Sequence, residues 1–317
     1  MSFKDKKIAF VFPGQGAQYV GMGMDLLSQN PEFNKIFDEF KSKTGEDLLS
    51  IMRDGSEETL KETRFTQPAI LAHSIMALRL FLNRCDIKPD YVAGHSLGEF
   101  SALVANGVLA FSDAMYLVHK RGEFMIKAND GTPFAMAAVL GLDPDTVKQI
   151  CEEASKQHLV VAANYNTQIQ TVISGTQEGV ELASTLAKEK NAKRVMPLPV
   201  GGPFHSPLIK DAAVWLKDEM DKIAFNNTEI PVISNVNAQP EKSADVIKKN
   251  LENQVTSSVL WVDTINYLTK QGVEIFIEFG PQKPLSGMIT KINENAKMFN
   301  VDKFEDINSV IEQLEAL

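Results

Sequence analysis

Cysteine is scarce in this chain: Cys85 and Cys151 are the only two in 317 residues. That excludes a disulfide framework, and neither has a second cysteine at metal-ligand spacing. Positive charge is also in deficit, with 32 Lys and Arg against 41 Asp and Glu and a net charge of -9, so no general field attracts nucleic acid. No long basic run supplies one locally. Apolar runs of roughly eighteen or more residues are missing, so no membrane span is expected. Residues 1–7 are polar, and the apolar run behind them enters Pro13-Gly14 rather than a small-residue cleavage site. No signal peptide is therefore expected, and a cytoplasmic protein is. His, Cys and carboxylates form no cluster with ligand spacing, so no metal is expected either.

What is present suits one large domain carrying an insertion, since 44% of the residues are hydrophobic and the chain has ample material for a core. Ile8-Ala9-Phe10-Val11-Phe12 is continuously apolar, as a strand covered on both faces of a parallel sheet should be. Helical periodicity follows over 24–40 and 68–82, and Tyr91-Val92-Ala93-Gly94 reads as a second buried strand. Strands alternating with helices predict an α/β core. From residue 134 the order changes to strand 134–140, helix 144–157, strand 159–164, strand 171–174, helix 177–190 and strand 194–198. That β-α-β-β-α-β series predicts a ferredoxin-like subdomain over 129–199, inserted into a discontinuous hydrolase-like core of 1–128 and 200–317 with a mostly parallel sheet. After it come a helical run over 207–223, a strand near 231–234, a helix over 244–254 and a strand over 274–279, and the acidic stretch 302–317 reads as a solvated terminal helix.

Gly94-His95-Ser96-Leu97-Gly98 is a Gly-x-Ser-x-Gly sequence between a short strand and a helix-compatible run, the setting of a nucleophile elbow. A bare match of this kind is equally a serine capping a helix. A serine hydroxyl needs a base, usually histidine. Of the five histidines, His73 and His119 lie in helical runs and His158 joins a helix to a strand, which are structural positions. His95 should diverge from its neighbour Ser96 and line the pocket. His205 sits in the turn before residue 207, where catalytic groups concentrate. No aspartate occupies an evident third position, which predicts a dyad.

Phe12-Pro13-Gly14-Gln15-Gly16, Gly94-His95-Ser96-Leu97-Gly98-Glu99, Lys120-Arg121-Gly122 and Phe204-His205-Ser206, in this order, resemble the malonyl-CoA:acyl carrier protein transacylases and related polyketide synthase acyltransferase domains. The resemblance spans nearly the whole chain. It implies Ser96 as nucleophile, His205 as base, and an oxyanion hole made by the backbone N–H groups of Gln15 and Leu97. It implies Arg121 as the ligand of the malonyl carboxylate, because a guanidinium grips that group through two parallel hydrogen bonds while an acetyl group leaves it unpaired. His95, Asn166 and Phe204 become substrate-binding residues, with Asn164 resembling a further pocket residue, and a main-chain carbonyl at Gln254 orients the histidine. The implied partners are malonyl-CoA and holo acyl carrier protein, with no tightly bound cofactor, and a monomer is expected. Carrier proteins are acidic, so Lys188, Lys190, Lys193 and Arg194 are the candidate docking patch. One departure is Gly280-Pro281-Gln282-Lys283, where the family often has a second glycine.

A trans-acting acyltransferase of a polyketide synthase shares every one of these motifs. A serine hydrolase or thioesterase is the rival from another class, and it predicts release of free acid with no need for Arg121.

Overall fold

The computed structural model describes residues 6–129 and 131–317. Strand β1 (Lys7–Phe12) is followed by helices α1 (Met24–Gln29), α2 (Glu32–Thr44), α3 (Leu48–Asp54), α4 (Glu57–Lys61) and α5 (Thr63–Leu82). Then come β2 (Tyr91–Gly94), α6 (Gly98–Ala105) and α7 (Phe111–Lys127). The middle of the chain forms β3 (Phe134–Leu140), α8 (Pro144–Ala154), β4 (Val160–Thr167), β5 (Gln170–Thr176), α9 (Gln177–Glu189) and β6 (Arg194–Pro197). A 3-10 turn (Pro207–Ile209) leads into α10 (Lys210–Met220), β7 (Val232–Ile233), β8 (Pro240–Glu241), α11 (Ala244–Gln254) and α12 (Trp261–Lys270). The chain closes with β9 (Val273–Phe279), α13 (Pro284–Ile292), β10 (Lys297–Val301) and α14 (Phe304–Glu315).

The larger sheet has the order β10-β9-β1-β2-β7-β8 and is parallel except where β8 pairs with β7. Its faces explain the unbroken apolar runs. Along β1, Ile8, Phe10 and Phe12 pack towards α5 and the main core, while Ala9 and Val11 pack with Trp261, Ile265 and Ile289 on the opposite side. The mixed α/β architecture with a mostly parallel sheet is thus the one expected.

The smaller sheet has the order β4-β5-β3-β6, antiparallel throughout. Helices α8 and α9 cover one face, where Ala137, Val139, Val147, Ile150 and Ile173 make a separate core. Both helices start on side-chain caps: Asp143 accepts from Thr146 N–H, and Thr176 accepts from Gly179 N–H. Met136, Ala138 and Val172 point the other way, towards the main core. Strand β4 is tied to the larger unit through Val259, which donates to Ala163 O and accepts from Tyr165 N.

Several element boundaries differ from the sequence reading. The helix expected over 24–40 is broken into α1 and α2 around Asn30 and Pro31, since proline cannot continue the intrahelical bonding. Helix α5 starts before Pro68 instead of at it. Pro68 has no N–H for the carbonyl one turn earlier, Arg64 O, and His119 Nδ1 meets that oxygen at 2.9 Å. Gly122 makes this approach feasible, because a Cβ there would lie 2.7 Å from Arg64 Cα. Helix α5 is long and apolar enough to cross a membrane, yet it is buried along nearly its whole length inside the protein. The terminal helix α14 is amphipathic rather than wholly solvated, with Ile307, Val310 and Leu314 buried. Gln282, standing where a glycine would be at ease, takes a left-handed φ of 58°.

Candidate active site

Ser96 lies between β2 and α6 with φ 52°, a left-handed conformation that a non-glycine residue holds only when its surroundings force it. The flanking glycines permit the turn: a Cβ on Gly98 would sit 2.1 Å from Phe12 O, and one on Gly94 would sit 1.9 Å from the Gly98 carbonyl carbon. Asn235, just beyond β7, clamps the elbow from behind. Its Oδ1 accepts from Ser96 N at 2.7 Å and its Nδ2 donates to Gly94 O at 2.7 Å.

His205 Nε2 is 2.8 Å from Ser96 Oγ, and His205 Nδ1 is 2.9 Å from the main-chain oxygen of Gln254. A carbonyl only accepts, so Nδ1 carries the hydrogen and Nε2 is left to accept the serine proton. Burial, then the nearby charge of Arg121, push the His205 pKa down to about 3, which keeps the ring neutral in the resting site. His95 points away from the hydroxyl. Its Nε2 lies 2.8 Å from Asn166 Oδ1 and its ring meets Trp261 edge-on.

Arg121, on α7, is 1% exposed. It donates from Nη1 to Gln67 Oε1 at 2.8 Å, and from Nη2 to Ser96 Oγ at 3.0 Å and Gln254 Oε1 at 2.9 Å. Its Nε is buried with no acceptor among the described residues. Burial lowers its pKa to about 10, against the opposing pull of Glu99, so the guanidinium remains charged near neutral pH. The backbone N–H groups of Gln15 and Leu97 likewise meet no acceptor among the described residues, and both residues line the same cavity.

That cavity, about 330 Å³, has Ser96, Arg121 and His205 on the core side and Met136, Ala138, Val172 and Asn166 on the side of the smaller sheet. Phe204 and Asn164 also line it. Every residue singled out for the site in the sequence except Gln254 is on the cavity wall, and Gln254 stands behind it.

Three participants were given no role by the sequence. Asn235 follows a strand with no motif around it, and Gln67 lies within a helix. Glu99 reads as an ordinary acidic residue in a helix's first turn, whereas it is 1% exposed beneath the elbow. The hint was there for Glu99 alone: a charge set directly before the mostly apolar stretch Phe100-Ser101-Ala102-Leu103 belongs to a buried face and needs partners.

A serine hydrogen-bonded to a buried histidine, with a cation on the same hydroxyl, defines a site for acyl transfer, and residues 9–300 match the family model described as an acyl transferase domain. A malonyl CoA-acyl carrier protein transacylase of Bacillus subtilis (strain 168) is 47% identical over 310 residues, covering 98% of each chain. Among solved structures, the malonyl CoA-acyl carrier protein transacylase of Coxiella burnetii superposes with TM-score 0.93 at 38% identity, covering 98% of each chain. A malonyl-transacylase in complex with its type II PKS acyl carrier protein gives TM-score 0.92 at 36% identity, over 97% of this chain and 100% of that one. The chain belongs to the malonyl CoA-acyl carrier protein transacylase family, and it is an acyltransferase.

Proposed function

We propose that the enzyme moves a malonyl group from malonyl-CoA to the phosphopantetheine thiol of acyl carrier protein, in fatty acid synthesis, through an ester on Ser96. One observation carries the reading: a single hydroxyl, Ser96 Oγ, contacts both a neutral base, His205 Nε2 at 2.8 Å, and a buried cation, Arg121 Nη2 at 3.0 Å. A serine hydrolase has no use for the cation.

In the first half-reaction Ser96 Oγ attacks the thioester carbonyl while His205 Nε2 takes the hydroxyl proton. The oxyanion is received by the free N–H groups of Gln15 and Leu97. Collapse breaks the C–S bond, and the proton on His205 passes to the departing CoA sulfur. In the second half the carrier thiol gives its proton to His205, its sulfur attacks the ester carbonyl, and the C–O bond breaks as Ser96 regains the proton. No tightly bound cofactor or metal enters the scheme.

Arg121 selects the acyl group and also switches on the base. A malonyl carboxylate on the guanidinium offsets the positive charge that holds down His205, so the imidazole becomes more basic when the right substrate is present. An acetyl group leaves the guanidinium without a carboxylate in direct contact and the base weak, against a cost of up to roughly 3–5 kcal/mol for a buried pair lacking one partner. His95, Asn166 and Phe204 shape the acyl pocket, and the apolar wall of Met136, Ala138 and Val172 limits water.

We read the molecule as a hydrolase-like core of 1–128 and 200–317 carrying a ferredoxin-like subdomain of 129–199, a division supported by the two separate sheets and the β4-β5-β3-β6 order. It is read as a cytoplasmic monomer that meets neither nucleic acid nor membrane. Lys188, Lys190, Lys193 and Arg194 are exposed and have no ion-pair partner among the described residues, which favours them as the docking patch for the acidic carrier. The solved complex with a type II PKS carrier supports a second reading, service to a polyketide carrier, and competition between the two carriers for one loaded enzyme decides it.

The deciding experiment is single-turnover mass spectrometry with malonyl-CoA or acetyl-CoA, followed by holo carrier protein. A malonyl adduct on Ser96, stable to water and discharged by the carrier, is the expected result. Rapid release of free malonate, or equal labelling by acetyl-CoA, would sink the proposal.

A further inference from the structure

Beneath the elbow, Gln254 links two charges that do not touch. Its carboxamide Oε1 accepts from Arg121 Nη2 at 2.9 Å, while its Nε2 donates to Glu99 Oε2 at 2.7 Å and to Ser96 O at 3.1 Å. An amide has a fixed polarity, and a carboxylate accepts only. Glu99 therefore dictates which end of Gln254 faces the guanidinium, and through it which way Arg121 Nη2 is held. The same Glu99 Oε2 accepts from Asn235 N at 3.1 Å, so the carboxylate also fixes the residue that clamps the serine.

We propose that Glu99 is the positioning residue and buried counter-charge of Arg121, and that it takes up a proton when an acyl-group carboxylate occupies the guanidinium. The inference rests on the malonyl reading of the site. Among the described residues the charged group facing Glu99 is Arg121 from α7; Asn235, Gln254 and Ser234 present neutral dipoles to it, and His205, neutral, is bonded to the main-chain oxygen of Gln254. With the cavity empty, Arg121 has one carboxylate to balance it. Malonyl brings a second. Two carboxylates sharing one buried cation cannot both stay ionised without cost, and the malonyl group makes direct contact while Glu99 is one amide away. Burial already raises the Glu99 pKa to about 7, so a modest further push suffices to protonate it at neutral pH. By linkage, malonyl binding strengthens as pH falls through this range, because binding consumes a proton.

Ester formation on Ser96 turns a thioester and a hydroxyl into an ester and a thiol with no net proton change, so any uptake reports the protein. The test mixes the enzyme with malonyl-CoA or acetyl-CoA in weakly buffered solution at pH 7 with an indicator dye, with mass spectrometry of Ser96 on the same samples. The expected uptake is about half a proton per malonyl adduct, none with acetyl-CoA, and none with malonyl-CoA in Glu99→Gln, which keeps an acceptor oxygen but cannot titrate. The KM for malonyl-CoA should rise between pH 6 and pH 8.5 in the parent relative to Glu99→Gln on the same substrate. An infrared difference spectrum of the parent, taken with both malonyl carbonyl carbons labelled with 13C to move the new ester band and the carboxylate band, should gain a protonated-carboxyl stretch; this reading needs no variant to fold. A full adduct without proton uptake, or uptake that persists in Glu99→Gln, overturns the inference while the malonyl reading stands. Absence of any adduct on Ser96 overturns both.

Discussion

On its core side the cavity places a histidine and an arginine within hydrogen-bond distance of one serine hydroxyl, each of the three held from behind by Asn235, Gln254 or Gln67. On the side of the smaller sheet it presents Met136, Ala138 and Val172, with Asn166 reaching across to His95. The two walls differ in how finely they must be set. Charge stabilisation falls off with misplacement of a fraction of an ångström, so the core wall is over-determined by hydrogen bonds. Excluding water and fitting an acyl chain tolerate apolar side chains that adjust, so the other wall can be supplied by a unit with a core of its own.

Substitutions across this divide should therefore differ steeply. The largest effect is expected for Ser96→Ala, which should abolish the acyl adduct and lower transfer by at least about 10⁴-fold in a carrier-loading assay with the melting temperature little changed. Arg121→Ala comes next. Removing the cation should lower kcat/KM for malonyl-CoA by roughly 10²- to 10³-fold while leaving acetyl-CoA turnover level or improved, so that the ratio of the two rates collapses. Unchanged discrimination would mean that Arg121 holds the serine and not the substrate. Asn235→Ala touches neither reactant, yet it strands Ser96 N–H and Gly94 O. Unpaired buried groups cost about 1–3 kcal/mol each, so a fall of several degrees in melting temperature should accompany a roughly tenfold loss of kcat. The smallest effect is expected for Asn166→Ala on the opposite wall, about two- to fivefold and mainly in KM for malonyl-CoA. If Asn166→Ala instead matched Arg121→Ala, the division of labour between the walls would be wrong.

Much of this was legible beforehand because the relevant signals are local. A continuous apolar run marks β1 as buried on two faces, and the glycines around Ser96 mark a turn too tight for a Cβ. Alternating periodicities disclosed the antiparallel unit in its order. Legibility failed where a local rule met a distant partner. Pro68 should have begun a helix, but α5 starts five residues earlier, and His119 from another helix satisfies the carbonyl that the proline abandons. The stretch after β10 looked solvated from its charge, yet every third or fourth residue of α14 is apolar and finds the core.

The amino-acid sequence by itself determined the class of core, the strained serine and the histidine in its turn, because each depends on neighbours a few residues away, and it marked the arginine on its helix only through the resemblance to a family. Only the tertiary structure decided that Asn235, Gln254 and Glu99, which lie up to 155 residues apart, form one hydrogen-bonded bed under the elbow. A buried dipole or charge acquires its role from whatever polar group the fold brings against it, and that pairing leaves no periodic trace in the chain.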